Sequence, residues 1–277
     1  MSTPRPPVEL SVVVPAHNEE SNLEPLVKEI AAALKPVGVA YELIIIDDGS
    51  SDGTRAELQR LGAVHPELRS FALSGAAPGR PLGQSAAFHA GFRAARGALV
   101  ASLDADLQND PADLPALLER RRDTQADVVQ GDRSRCRRDG AVRRATSRVG
   151  RFFRRWLLDD SIRDTGCSLR VMRRDVALRL PLELRGMHRF VPVTARNLGY
   201  RVVEMEVRHR PRRAGRAKYG IWNRALPGLV DCLAVRWMAG RRRRVDYEPI
   251  VPDPNRRREP PATASAPTDT DIAEVSP

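Results

Sequence analysis

Along the first half of the chain, short runs of apolar residues alternate with longer stretches that are apolar only at every third or fourth position. Leu10 to Pro15 and Tyr41 to Ile46 read as buried strands, with a shorter third strand over Leu68 to Leu73. Ala98 to Leu103, bounded by Gly97, and Asp127 to Gln130 are two more. Helices are predicted between them. Ser21-Asn22-Leu23-Glu24 reads as a capping box, opening a helix that carries Leu26, Ile30, Ala33 and Leu34 on one face. Thr54 to Leu61, Gly83 to Ala95 and Pro111 to Arg122 follow, the last with proline in its first turn. Strands that are apolar throughout are covered on both faces. Joined by helices, they predict an α/β fold with a mostly parallel sheet and helices on both sides.

The second half has another pattern. Arg133 to Arg155 holds ten arginines and one acid, Asp139, with Phe152, Phe153, Trp156, Leu157 and Leu158 near its end. Two readings stay open: a solvated helix face with a core side, or an anion-binding helix that faces a membrane. Ile162 to Met172 is strand-like with a Gly-Cys turn inside it, and Tyr200 to His209 alternates as an edge strand does. Arg212 to Tyr219 is a basic loop. Ile221 to Ala239 is a last helix with a broad stripe of Trp222, Leu226, Leu229, Val230, Leu233, Trp237 and Met238, followed by Arg241 to Arg244. That stripe either packs on the sheet or lies on a membrane. Beyond Val245 the composition predicts disorder.

Composition narrows the partners. A formal charge of +11 over 277 residues favours anionic ones. Aromatics are only 5% and do not interleave with the basic residues, so a base-stacking nucleic-acid surface is not expected. Acid pairs at two strand ends would also repel a nucleic acid. The three cysteines (Cys136, Cys167, Cys232) are widely spaced and form neither a disulfide framework nor a zinc set, which suits a reducing cytosol. Met1 to Glu9 has no apolar core of a secretory signal, and no stretch approaches the ~18 apolar residues of a membrane span. Work at a membrane would be work on its surface.

Asp47, Asp48, Asp104 and Asp106 all fall at carboxyl ends of predicted strands, where parallel sheets bind ligands. Asp104, Asp106 and Gln108 stand at i, i+2 and i+4. In an extended chain they point to one side. Two carboxylates and an amide oxygen suit Mg2+ or Mn2+. A solvated turn, or the cap of the helix at Asp110-Pro111, is the alternative for the pair alone.

Three segments then occur in order: Val14-Pro15-Ala16-His17-Asn18-Glu19-Glu20, Asp47-Asp48-Gly49-Ser50-Ser51-Asp52-Gly53-Thr54 and Asp104-Ala105-Asp106-Leu107-Gln108. Together they resemble the family 2 glycosyltransferases of GT-A fold, a Rossmann-like sheet. Asp164-Thr165-Gly166-Cys167, Gly186-Met187-His188-Arg189-Phe190 and Gly215-Arg216-Ala217-Lys218-Tyr219-Gly220 resemble the branch that glycosylates polyprenyl phosphates, dolichyl or undecaprenyl. The resemblance covers about residues 9 to 240. It implies a domain over 10–240, with a nucleotide-sugar half (10–133) and an acceptor and membrane-surface half (134–240). A flexible 1–9 and a basic run with a disordered tail (241–277) flank it.

The resemblance also implies roles. Pro15, Ala16, Glu19, Asp47 and Asp48 would hold nucleobase and ribose, with Asn18 and Gly83 as further donor contacts. Asp104, Asp106 and Gln108 would hold the metal and the donor diphosphate. Arg133 and Lys218 would lie near the phosphates, with Arg148 and Tyr219 beside the acceptor phosphate. Pro81 replaces an Asn frequent in the family, and Ala217 lacks the hydroxyl usual before Lys-Tyr. Dimers and tetramers are common in such relatives, which leaves a homo-oligomer open.

Chemistry separates two acceptors. A sugar hydroxyl must lose a proton, and Asp164 would be the base. Its other reading is a turn residue bonded to Thr165 or Gly166. A lipid phosphate is already an anion and needs cations, which Arg133, Lys218 and the Arg143 to Arg155 cluster supply. The expectation is therefore inverting, metal-dependent transfer of a hexose-type sugar from a nucleotide-diphosphate sugar to a polyprenyl phosphate. It would take place on the cytoplasmic face of the membrane, through peripheral contact with anionic lipid. His17 and His188 lie in motifs, while His65, His89 and His209 read as surface or core residues.

Overall fold

A computed structural model describes residues 7–135, 154–211 and 222–242, with side chains in the last segment from 228 onward. The apolar runs form a seven-stranded sheet of order β3-β2-β1-β4-β6-β5-β7. The strands are β1 (Leu10–Ala16), β2 (Tyr41–Asp47), β3 (Leu68–Ala72), β4 (Leu99–Ser102), β5 (Val128–Asp132), β6 (Arg170–Arg173) and β7 (Val202–Glu206). β1 pairs in parallel with β2 and β4, and β2 with β3. β6 inserts antiparallel between β4 and β5, and β7 closes the edge parallel to β5.

Both sheet faces are covered, which explains strands without alternation. Val12, Val14, Leu43 and Ile45 join one core with α1 (Glu20–Leu34), α2 (Thr54–Val64) and α4 (Leu114–Thr124). Val13, Ile44 and Ile46 point the other way, into a second core with Phe88 and Phe92 of α3 (Gln84–Ala94). That core continues through α5 (Arg174–Arg179), α6 (Val191–Asn197) and α7 (Trp222–Arg241). Gly91 lets α3 lie close on β1, since a Cβ there would stand 2.3 Å from Val13 Cγ1.

Four local expectations are corrected. The first helix starts at Glu20, so Ser21 is inside it and caps nothing; Glu19 instead accepts from Asn22 Nδ2 at 2.7 Å. Only 170–172 of the 162–172 stretch is strand, because Asp164 Oδ1 takes the Gly166 N–H at 3.1 Å and closes a turn at 165–166. The helix at Pro111 opens with a 3-10 turn, Pro111–Asp113, capped by Asp110 Oδ1 on the Ala112 N–H. The chain after Asp104 is not extended: 105–107 turn, with Leu107 at φ 58° and the Gln108 N–H on Asp106 Oδ1 at 3.2 Å. The i, i+2, i+4 geometry therefore does not hold past Asp106.

The last helix turns a limited face inward. Cys232 and Val235 are buried, while Leu229, Val230, Leu233 and Trp237 are exposed, Trp237 at 64%. No helix among the described residues is long and apolar enough to cross a membrane.

Candidate active site

Parallel pairing brings the carboxyl ends of β1, β2 and β4 to one edge of the sheet. Pro15, Ala16, His17, Glu19, Asp48, Gln84, Asp104, Ala105 and Asp106 line a cleft there. Residues 30 to 90 positions apart in sequence meet because strand ends, not sequence neighbours, build its wall.

The segments around His17, Asp48 and Gly83 hold each other. Asp48 accepts the N–H groups of Leu82 and Gly83 on its two oxygens, both at 2.7 Å, and its carbonyl pairs with His17 Nδ1 at 2.7 Å. Gly83, at φ 107°, takes a backbone turn that a side chain would strain. Asp47 is buried and bonded to Ser50 N (3.0 Å) and to Arg55 Nη2 (3.0 Å). Burial pushes its carboxyl up, but Ser50 and Arg55 outweigh that and leave it lowered. Asn18 sits left-handed at φ 58°, with its N–H on Ser50 Oγ and its Oδ1 accepting from Ser51 N at 2.7 Å.

The acidic pair forms the cleft's other wall. Gln84 Nε2 donates to Asp104 Oδ1 at 2.6 Å. Burial raises the Asp104 pKa, and the like charge of Asp106 adds to it; Ser168, Arg133 and Arg170 work in the opposite direction. Two crowded carboxylates are a donor set that a divalent cation relieves. Among the described residues no group of three His, Cys, Asp or Glu could hold an ion. A cation on Asp104 and Asp106 would thus complete its shell with phosphate, water or an amide oxygen.

Behind this wall lies a buried polar layer. Arg133 and Asp164 pair at 2.8 Å, with both side chains at most 10% exposed. Arg170 is buried and donates to the carbonyls of Cys167 and His188. Burial lowers its pKa to about 10. Burial also raises the Cys167 thiol to about 12, which makes it an inert core sulfur.

Of the residues singled out above, Pro15, Ala16, Glu19, Asp48, Asp104 and Asp106 line the cleft. Asp47, Asn18 and Gly83 do not line it but bond to Ser50, Ser51 and Asp48 beside it, and Gln108, Arg133 and Asp164 do not line it either. Arg148, Lys218 and Tyr219 lie outside the described residues. Gln84 and Arg170 escaped notice, since a glutamine after a glycine and an arginine on a strand carry no spacing signal.

A model of the family described as Glycosyl transferase family 2 matches residues 11–180. The chain belongs to glycosyl transferase family 2. It is 36% identical over 232 residues to a dodecaprenyl-phosphate galacturonate synthase of Rhizobium johnstonii, covering 82% of this chain and 66% of that protein. It is 37% identical over 226 residues to an undecaprenyl-phosphate 4-deoxy-4-formamido-L-arabinose transferase of Edwardsiella ictaluri, covering 81% and 67%. The chain thus spans about two thirds of the length of these family 2 relatives. Its fold is similar to that of Mycobacterium tuberculosis glucosyl-3-phosphoglycerate synthase solved with Mn2+ and UDP. The TM-score is 0.60 at 22% identity, over 83% of this chain and 80% of the other. That likeness establishes the GT-A-like fold of this family 2 chain.

Proposed function

We propose that this chain transfers a hexose-type sugar from a nucleotide-diphosphate sugar to a polyprenyl phosphate on the cytosolic face of a membrane. One observation carries the choice of acceptor. Asp164, the carboxylate a hydroxyl acceptor would need as base, has its oxygens on Arg133 and Gly166 and does not line the cleft. A lipid phosphate needs no such base, because its second pKa is roughly 6. The relatives named as polyprenyl-phosphate sugar transferases support the same acceptor.

In this reading the nucleotide lies along Pro15, Ala16, Glu19 and Asp48, and its diphosphate at Asp104 and Asp106. Those carboxylates, with Gln108 as a further oxygen donor, would hold Mg2+ or Mn2+. Such an ion offsets charge on the leaving diphosphate. Similar folds solved with Mn2+ support this use. An acceptor phosphate oxygen forms the new bond to the anomeric carbon as the bond to the diphosphate oxygen breaks, which inverts that centre. Arg148, Lys218 and Tyr219 would hold the acceptor phosphate, and Arg133, paired with Asp164 behind the cleft wall, would add positive field. The exposed Leu229, Val230, Leu233 and Trp237, with Arg241 over the Trp237 ring at 5.9 Å, give a surface that suits an anionic bilayer.

The test incubates the chain with undecaprenyl phosphate, Mn2+ or Mg2+ and a panel of radiolabelled nucleotide sugars. Label in an acid-labile lipid phosphosugar supports the proposal and names the donor. Donor turnover without lipid product for any sugar overturns the phosphate acceptor and favours a hydroxyl acceptor.

A further inference from the structure

Ser85 and His188 are 103 residues apart in sequence, yet they meet twice. The His188 backbone N–H donates to Ser85 Oγ at 3.1 Å, and His188 Nδ1 pairs with the same oxygen at 2.8 Å. Ser85 is the second residue of α3, and its neighbour Gln84 holds Asp104 Oδ1 at 2.6 Å. On its other side His188 is anchored as well, since its carbonyl accepts from Arg170 Nη1 at 3.3 Å. Arg170 lies on β6, whose register sets it opposite Ser102, two residues before Asp104.

We propose that His188 is a positioning residue, which clamps the first turn of α3 through Ser85 and thereby holds Gln84 against Asp104 at the donor cleft. This rests on the reading of that cleft as the nucleotide-sugar site. α3 needs such a clamp. Its N-cap residue, Gly83, has no side chain to cap the helix. The two bonds to Ser85 Oγ instead tie its first turn to a fixed 3-10 segment, Met187–Phe190. The Asp48 carboxylate holds the residues just before α3, Leu82 and Gly83. Gln84 therefore sits between two anchored points, and its amide can meet Asp104 without a search over rotamers. The imidazole suits a structural task. Burial, with Arg189 and Arg170 nearby, lowers its pKa to about 3, so it stays neutral and does not relay protons at working pH.

The experiment compares wild type, His188→Phe, His188→Asn, Ser85→Ala and Gln84→Met. Calorimetry reads Mn2+-dependent binding of UDP and of GDP, and hydrogen exchange reads the amides of 84–87 without ligand. Losing the clamp is expected to weaken nucleotide binding about tenfold in His188→Phe and Ser85→Ala, the effect of one or two hydrogen bonds. Exchange at 84–87 should quicken in both. His188→Asn keeps a polar atom near the Nδ1 position and should restore most of the affinity, which a merely space-filling residue would not require. His188→Phe combined with Gln84→Met should be no weaker than Gln84→Met alone. Affinity within twofold of wild type in both His188→Phe and Ser85→Ala overturns the proposal. So does a wild-type pH profile with an inflection between pH 6 and 7 that His188→Asn removes. Should His188→Phe fail to fold, Ser85→Ala decides. If the wild type binds neither nucleotide, the donor reading of the cleft falls, and exchange at 84–87 still upholds or overturns the clamp.

Discussion

Arg133 reaches Asp164 with its backbone N–H, its Nε and its Nη2, at 3.2, 2.8 and 3.3 Å. The pair closes a 31-residue span from the end of β5 to the turn before β6. Each charge is compensated by the other. The two residues that sequence reading assigned to opposite acceptors, one to a phosphate and one to a hydroxyl, are partners in this state. Arg133 also adds a positive field at Asp104. An incoming phosphate would have to share the guanidinium with Asp164 rather than find it free.

Asp164→Ala leaves a buried guanidinium without its partner. Breaking such a pair costs about 3–5 kcal/mol. Urea unfolding should show that loss, and Asp164→Ala with Arg133→Met should recover most of it. A loss below ~1 kcal/mol in Asp164→Ala would mean that the pair is not structural.

Asp106→Ala should reduce sugar transfer by about a thousandfold or more, the scale of several kcal/mol of charge stabilisation. Mn2+-dependent nucleotide binding should vanish with it. Stability without metal should change by less than ~1 kcal/mol, because relief of the like-charge repulsion on Asp104 offsets the lost bond from the Gln108 N–H to Asp106. Full transfer by this variant would remove the acidic pair from the chemistry.

His188 makes stability depend on pH. It faces Ser85, with Arg170 and Arg189 close by, and it protonates only at about 3 in the folded chain. The unfolded chain takes up that proton near pH 6.5. Between these values the unfolded state binds more protons, so stability is full above pH 6.5 and is lost as pH falls toward 3. Between pH 7.5 and 5.0, wild type should lose about 2 kcal/mol more than His188→Asn does over the same interval. Equal losses in urea titrations at the two pH values would show that His188 titrates normally.

Trp237→Ser and Leu233→Ser change exposed side chains of α7, so folding stability should move by less than ~0.5 kcal/mol. Binding to anionic vesicles should fall about tenfold per residue, from the apolar area withheld from the interface. Arg241→Gln should weaken binding to anionic vesicles by about 1 kcal/mol and leave neutral vesicles unaffected. Flotation assays read both. Unchanged binding by both serine variants would leave α7 without a membrane role.

Much of the fold was legible because its signals are local. Apolar runs such as Val12-Val13-Val14 and Ile44-Ile45-Ile46 mark strands buried on both faces, and their helices follow from periodicity. The start of α1 was misjudged because Ser21 competes with Glu19 and Asn22, which close the helix end by a contact of their own. The turn after Asp104 was missed because a left-handed leucine at 107 has no composition signal. It is stabilised by the Asp106 carboxylate on a backbone N–H, which only the folded loop displays.

The sequence alone determined the alternating α/β order, the acidic strand ends and the basic second half, since these depend on residue type and spacing within single elements. The tertiary structure decided everything that joins distant elements. It placed β6 antiparallel in the sheet, paired Arg133 with Asp164, set Gln84 on Asp104 through α3, and turned Leu229, Leu233 and Trp237 outward. Charges and hydrogen bonds act over a few ångströms in space, whatever their separation in sequence. A residue's type tells what it can bond, and only the fold tells what comes within reach.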